Sequence, residues 1–209
     1  VEVKWVWIFN TTCGKRVKSS VSVRILKPSE PRKITHTDDP FLFFKSPESL
    51  TAERDIYLSP LLTEFICEVE MAVIIGQEAK NVSEQEVPSI VAGYAIVNDI
   101  TASAHFDTGR FKMFDQLTPI GSMTDIEDPC NVDLEMWVNG SLIQKDNTSE
   151  MLFSAHWLVS HISSMATLRK GDIILTGTPA NPLSCQFGDV IELRSPQLGN
   201  HKHRIHQEL

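Results

Sequence analysis

The chain has 209 residues, enough for one sizeable core or two small ones. Its 42% hydrophobic and 22% charged content is that of a soluble globular protein, and no apolar run is long enough to span a bilayer. A formal net charge of −8 disfavours nucleic acid or an anionic membrane as a partner.

The first segment, Val1-Glu2-Val3-Lys4-Trp5-Val6-Trp7-Ile8-Phe9, alternates like a strand and lacks the layout of a signal peptide. Residues 1–26 read as two or three strands around the turn at residues 10–15, with residues 20–26 alternating cleanly. Residues 1–21 are set apart as a small N-terminal sub-domain ahead of a main domain over 22–209. Pro28, Pro31 and Pro40 bracket a polar, irregular stretch, and Phe41-Leu42-Phe43-Phe44-Lys45 is a short strand entering the core.

Residues 63–76 are mostly apolar and β-branched and end at Gly76, which predicts one buried strand. Ser83 with Glu86 forms a capping-box pattern, and Pro88 keeps any helix there short. Residues 90–100 are a second apolar strand, ending on Asp99. Residues 101–118 are polar and irregular and carry Arg110, Lys112 and Asp115. Asn139-Gly140 between alternating segments predicts a two-residue hairpin. Asn147 or Thr148 caps a helix over about 149–166, on which Met151, Leu152, Ala155, Leu158, Val159 and Ile162 recur at helical spacing. His156 and His161 on that helix read as packing or surface residues. Gly171-Asp172 and Gly188-Asp189 read as tight turns before further strands. A last strand over 201–206 carries three histidines expected to share one solvated face. Strands far outnumber helices and few helices separate them. This predicts a mostly β (α+β) fold, a rolled or sandwiched sheet with one main helix.

Cys13, Cys67, Cys130 and Cys185 are far apart, and none forms a close metal-binding pair. They read as free thiols of a reducing, cytoplasmic compartment.

The chemistry centres on Glu68-Val69-Glu70. In a strand, residues two apart point the same way, so both carboxylates aim at one spot while Val69 and Met71 aim at the other face. Two buried carboxylates repel each other and carry a large desolvation cost, so a metal ion, an Arg or a Lys must sit with them. The alternative is an edge strand with both acids in water, which the apolar flanks oppose. Asp99 adds a third acid at the end of an apolar strand. Three carboxylates without a nearby His or Cys form a hard, all-oxygen set suited to Mg2+ or Mn2+. Lys112, Arg110 and Lys45 are the cations available to an anionic substrate.

Six segments then occur in a familiar order. They are the stretch 40–45, Glu68-x-Glu70-x-Ala72-Val73-x-Ile75-Gly76, Ala92-Gly93-Tyr94 followed by Asn98-Asp99, Lys112-x-x-Asp115-x-x-x-Pro119-x-Gly121, Val138-Asn139-Gly140, and Gly171-Asp172-Ile173-Ile174-x-Thr176-Gly177-Thr178-Pro179. From about residue 22 to the end, the chain resembles the fumarylacetoacetate hydrolase family, in particular short bacterial hydroxyheptadienedioate isomerases and oxo-acid decarboxylases of aromatic catabolism. The resemblance implies a mixed β-sandwich roll, a homodimer, and Mg2+ or Mn2+ on Glu68, Glu70 and Asp99. It makes Lys112 the active-site lysine, puts Thr178 at the substrate-carboxylate end and Lys45 near the mouth. It implies a small anionic 2-oxo acid or 1,3-dicarbonyl reacting through a metal-stabilised enolate.

Two departures bear on the reaction. Members usually carry a water-activating His-x-x-Glu lid before the segment like Pro40-Phe41, where this chain has only Thr35-His36-Thr37-Asp38-Asp39. An Arg often found four residues after the Asp ligand is here Ser103, which leaves the substrate carboxylate to Arg110. Isomerisation or decarboxylation is therefore expected ahead of hydrolysis. The alternatives are an acylpyruvate-type hydrolase and a non-catalytic relative that keeps the scaffold without the lid.

Overall fold

The computed structural model describes residues 5–7, 22–24, 40, 42–179 and 182–209. The expected turn at 10–15, the stretch with His36 and Asp39, Cys13 and most of the expected sub-domain lie outside the described residues. In chain order the strands are β1 (Trp5–Trp7), β2 (Ser22–Arg24), β3 (Leu42–Phe43), β4 (Leu50–Thr51), β5 (Asp55–Leu58), β6 (Phe65–Cys67), β7 (Val69–Ile75), β8 (Val91–Asn98), β9 (Thr118–Pro119), β10 (Asp133–Val138), β11 (Ser141–Asn147), β12 (Ile173–Leu175), β13 (Leu183–Cys185), β14 (Val190–Ser195) and β15 (Gly199–Gln207). The α-helices are α1 (Val87–Ile90) and α2 (Ala155–Met165).

The largest sheet has the order β11-β10-β14-β15-β5, mixed because β15 runs parallel to β5. It packs across β7 and β8, which belong to an antiparallel sheet of order β12-β7-β8. The main core lies between them. Val69, Met71, Val73 and Ile75 enter it from one face of β7, and Leu158, Val159 and Ile162 enter it from α2. The other face of β7 is also covered, with Ala72 packed in a second apolar cluster with Ala95, Val97, Ile173 and Leu175. A strand buried on both sides explains the near-continuous apolar run.

Local chemistry explains the connections. Asn139 (φ 51°) and Gly140 (φ 83°) both take the left-handed conformation of a type I′ hairpin turn. The Asn139 side chain ties this tip to the start of β14, accepting from the Val190 N–H at 3.0 Å and donating to Asp189 at 2.8 Å. Glu86 accepts from the Ser83 N–H and hydroxyl at 2.8 and 2.7 Å, and only the one-turn α1 follows, as Pro88 leads one to expect.

Three expectations are corrected. The helix starts at Ala155 and not near 149. Asn147 caps a separate 3-10 turn (Thr148–Glu150), and Ser154 caps α2 by accepting from the Trp157 N–H. The predicted strand over 63–76 breaks at Glu68, so β6 pairs with β13 while β7 joins another sheet. The three late histidines do not share a solvated face: His201 and His203 are buried, while His206 lies on the opposite face and pairs with Asp55.

The turn at Gly171 (φ 88°) is closed by Asp172, whose Oδ2 accepts from the Arg169 N–H at 2.7 Å while its Oδ1 is buried without a partner. Burial pushes the Asp172 carboxyl up to about 6. Its ionised form therefore weakens the fold above that pH, and the penalty disappears as pH falls toward the ordinary carboxylate range. Asp172→Asn keeps the acceptor and removes the charge. It is expected to raise stability at pH 7 by about 1 kcal/mol, allowing for solvent screening, and to flatten the stability profile between pH 4 and 6. Urea melts across that range check this, and equal slopes in both proteins refute it.

Candidate active site

The site is built where the β6–β7 break meets the end of β8. Register pairs Val69 with Asn98, so Asp99 leaves β8 beside Glu68, and the Asp99 N–H donates to the Glu68 carbonyl at 2.8 Å. Glu70 lies on the β7 face that carries Ala72, opposite the face of Val69 and Met71, as alternation requires. Glu68, Glu70 and Asp99 are all fully buried.

Two lysines enter the same space. Lys45, just beyond β3, donates to Asp99 Oδ1 at 2.8 Å and to the Leu117 carbonyl at 2.6 Å. Lys112 pairs with Asp99 Oδ2, and its Nζ lies 3.5 Å from Glu68 Oε2 and 5.5 Å from the centre of the Phe43 ring. Both lysines are almost completely buried. Thr101 Oγ1 donates to Glu68 Oε2, and the Gly177 N–H donates to Glu70 Oε2, each at 2.8 Å. Burial pushes the Glu68 carboxyl up to about 7, against the pull of Lys112. Burial, reinforced by Asp99 and Glu68, drives Glu70 well above the carboxylate range. Burial also lowers Lys45 to about 7, against the pull of Asp99. Among the described residues three carboxyl groups thus meet two amines in a space nearly closed to water, and with all three acids ionised that set is one cation short of balance.

Among the described residues no three His, Cys, Asp or Glu side chains form a ready-made metal cluster. The donor chemistry nevertheless fits a hard divalent ion. Glu68 Oε1 and Glu70 Oε1 are buried oxygens without a hydrogen-bond partner, on residues whose charge is short of compensation. Such oxygens suit Mg2+ or Mn2+ far better than Zn2+.

The structure brings Glu68, Glu70, Asp99, Lys112 and Lys45 together, with Lys45 deep inside rather than at a mouth. Thr178 is buried on the loop after β12, next in sequence to Gly177, whose N–H reaches Glu70. That loop is anchored to β7 by Thr176, whose N–H and hydroxyl both donate to the Met71 carbonyl at 2.9 Å. Arg110 is exposed, with its Nε donating to Thr108 at 3.2 Å, and lies outside the buried cluster. Sequence reasoning missed Thr101, Gly177, Asn98 and Gln144. Gln144 left one signal, an amide in the middle of β11 directly after Leu142-Ile143. It donates to Thr178 Oγ1 and to the Pro179 carbonyl, each at 3.1 Å.

Residues 13–206 match the family model described as fumarylacetoacetate (FAA) hydrolase C-terminal. The 4-hydroxyphenylacetate degradation bifunctional isomerase/decarboxylase of Escherichia coli is 34% identical over 181 residues, covering 82% of this chain and 42% of that protein. The 2,4-didehydro-3-deoxy-L-rhamnonate hydrolase of Sphingomonas sp. strain SKA58 is 33% identical over 187 residues, covering 80% of this chain and 65% of its own. The crystal structure of 2-hydroxyhepta-2,4-diene-1,7-dioate isomerase from Mycobacterium marinum superposes with a TM-score of 0.78 at 30% identity, covering 82% of this chain and 71% of that one. The mostly β architecture is shared with these neighbours.

Proposed function

Since the chain belongs to the fumarylacetoacetate hydrolase family, whose members include isomerases, decarboxylases and hydrolases, we propose that it is a divalent-metal-dependent enzyme acting on a small 2-oxo acid or 1,3-dicarbonyl by isomerisation or decarboxylation. One observation carries this reading: three buried carboxylates, two with an unpartnered oxygen, share a space with two buried lysines. Glu68, Glu70 and Asp99 would hold Mg2+ or Mn2+, which when bound supplies electrophilic polarisation of a substrate carbonyl.

The remaining roles belong to the chain. Decarboxylation delivers the electron pair of the broken C–C bond to the carbonyl oxygen, and isomerisation does the same with the pair of a broken C–H bond. Both develop negative charge on oxygen, which the Lys112 ammonium would offset; its burial and its nearness to Glu68 support this role. Lys45, with its pKa lowered to about 7 by burial, is suited to hold or release a proton at Nζ near neutral pH. Thr178 offers a hydroxyl toward a substrate carboxylate. Hydrolysis would also need a group that activates water, and the sequence at 35–39 departs from the family there. We extend the proposal to a homodimer, which light scattering on the purified protein tests.

The reading is tested by following the thermal midpoint with and without Mg2+ or Mn2+, then oxaloacetate decarboxylation and tautomerisation beside acylpyruvate hydrolysis. The expected result is a metal-dependent rise in midpoint with metal-dependent turnover of oxaloacetate. Acylpyruvate turnover alone would favour a hydrolase. No thermal response and no turnover would overturn the proposal.

A further inference from the structure

At the β6–β7 break two consecutive backbone N–H groups are taken by side-chain amides. The Glu68 N–H donates to Asn98 Oδ1 at 3.0 Å, and the Val69 N–H donates to Gln144 Oε1 at 3.1 Å. Both amides are buried. Each is gripped at its far end. Asn98 Nδ2 lies 3.0 Å from His203 Nε2, and Gln144 Nε2 donates to Thr178 Oγ1 and the Pro179 carbonyl. Because each amide oxygen accepts a backbone N–H, each amide NH2 faces its outer partner, and His203 accepts at Nε2. Burial keeps that imidazole neutral, holding it down at about 3.

We propose that Asn98 and Gln144 are positioning residues that set the aim of Glu68 and Glu70 toward a divalent cation. This rests on the metal reading above. Both amides act through the backbone, each accepting from one of two consecutive N–H groups that flank Glu68. Asn98 holds the Cys67–Glu68 peptide and Gln144 the Glu68–Val69 peptide, so together they fix the backbone on both sides of Glu68, and the second leads into Glu70. Gln144 has a second effect. By bridging Val69 to Thr178 and Pro179, it fixes the carboxylate strand against the loop that offers the Thr178 hydroxyl. If these amides only satisfied buried N–H groups, removing them would lower stability without singling out metal binding.

The test is Mn2+ binding by calorimetry and electron paramagnetic resonance, with thermal midpoints, on the full chain. Wild type is compared with Asn98→Ser, Gln144→Met and Ser163→Ala. Ser163 is a buried control outside the site, whose hydroxyl accepts from the Val82 N–H at 3.0 Å. Asn98→Ser and Gln144→Met are expected to weaken Mn2+ binding about 10- to 100-fold and broaden the Mn2+ signal. Ser163→Ala is expected to lower the midpoint while holding affinity within about twofold. Should Asn98→Ser not fold, His203→Gln loosens the same amide from its far side and is expected to weaken binding in the same way. Wild-type affinity in the Asn98, His203 and Gln144 variants, or an equal loss in Ser163→Ala, overturns the inference alone. Absence of Mn2+ binding by wild type defeats the metal reading, and the inference falls with it.

Discussion

Glu70→Gln is expected to melt higher than wild type without metal and to show no response to Mg2+ or Mn2+. The reason is the mismatch between a carboxylate and its surroundings. Glu70 is fully buried, and burial together with its acidic neighbours already drives it toward the neutral form. Gln keeps the shape and the acceptor for the Gly177 N–H. It replaces an unpartnered oxygen with an NH2 that can donate toward Glu68 or Asp99. Removing a poorly compensated buried charge at constant volume stabilises by about 2 kcal/mol, or ~4–8 °C in midpoint for a chain of this size. Turnover with metal should fall at least about 100-fold, since a cation would lose one of three anionic donors. Scanning calorimetry with chelator and with excess Mn2+ decides it. A lower midpoint in chelator, or an undiminished Mn2+ shift, contradicts the assignment of Glu70 as a metal donor held at a cost to stability.

Lys112→Met should do the reverse. Met fills much of the volume of the stem, but Asp99 loses one of two ammonium partners and Glu68 its nearby cation. Breaking a buried ion pair from one side costs about 3–5 kcal/mol, because the remaining charge stays buried. The distinguishing mark is rescue. A cation bound by the same carboxylates supplies the missing charge, and a ligand at ~100 times its dissociation constant adds about 2.7 kcal/mol. Saturating Mn2+ should therefore restore most of the lost stability while activity stays depressed at least about 100-fold, because the group offsetting charge on substrate oxygen is absent. A metal-free midpoint within about 2 °C of wild type would show that Lys112 does not balance the acids.

How far the sequence could be read follows from the range of each signal. The alternation of Val69, Glu70 and Met71 survives in the structure because β7 is buried on both faces and its side chains have no freedom to trade sides. Asp99 was legible as an acid closing an apolar strand. The chain break at Glu68 was not. Nothing in an apolar run marks where one sheet hands over to another. The helix start was misread because Met151 and Leu152 fit a helical period, while Ser154 holds the Trp157 N–H and sets the true beginning. His201 and His203 resembled solvated strand polars, and only the strands packed over them, with Asn98 within reach of His203, account for their burial. Arg110 was a candidate by proximity to Lys112 in sequence. A neighbour two residues away can be on the surface while Lys112 is in the core.

The contacts that complete the site join residues far apart along the chain. Glu70 and Gly177 are separated by 107 positions, Asn98 and His203 by 105, and Val69 and Gln144 by 75. During synthesis the acidic strand emerges well before the loop and the last strand that hold it, so its carboxylates must wait in water. Closing such long loops carries an entropy cost and slows folding. The arrangement of these carboxylates is therefore among the last features to be completed, and a chain that ends before His203 lacks one of the contacts around it. On the metal reading proposed above, a cation would be taken up only after the segment through His203 has folded onto the acidic strand.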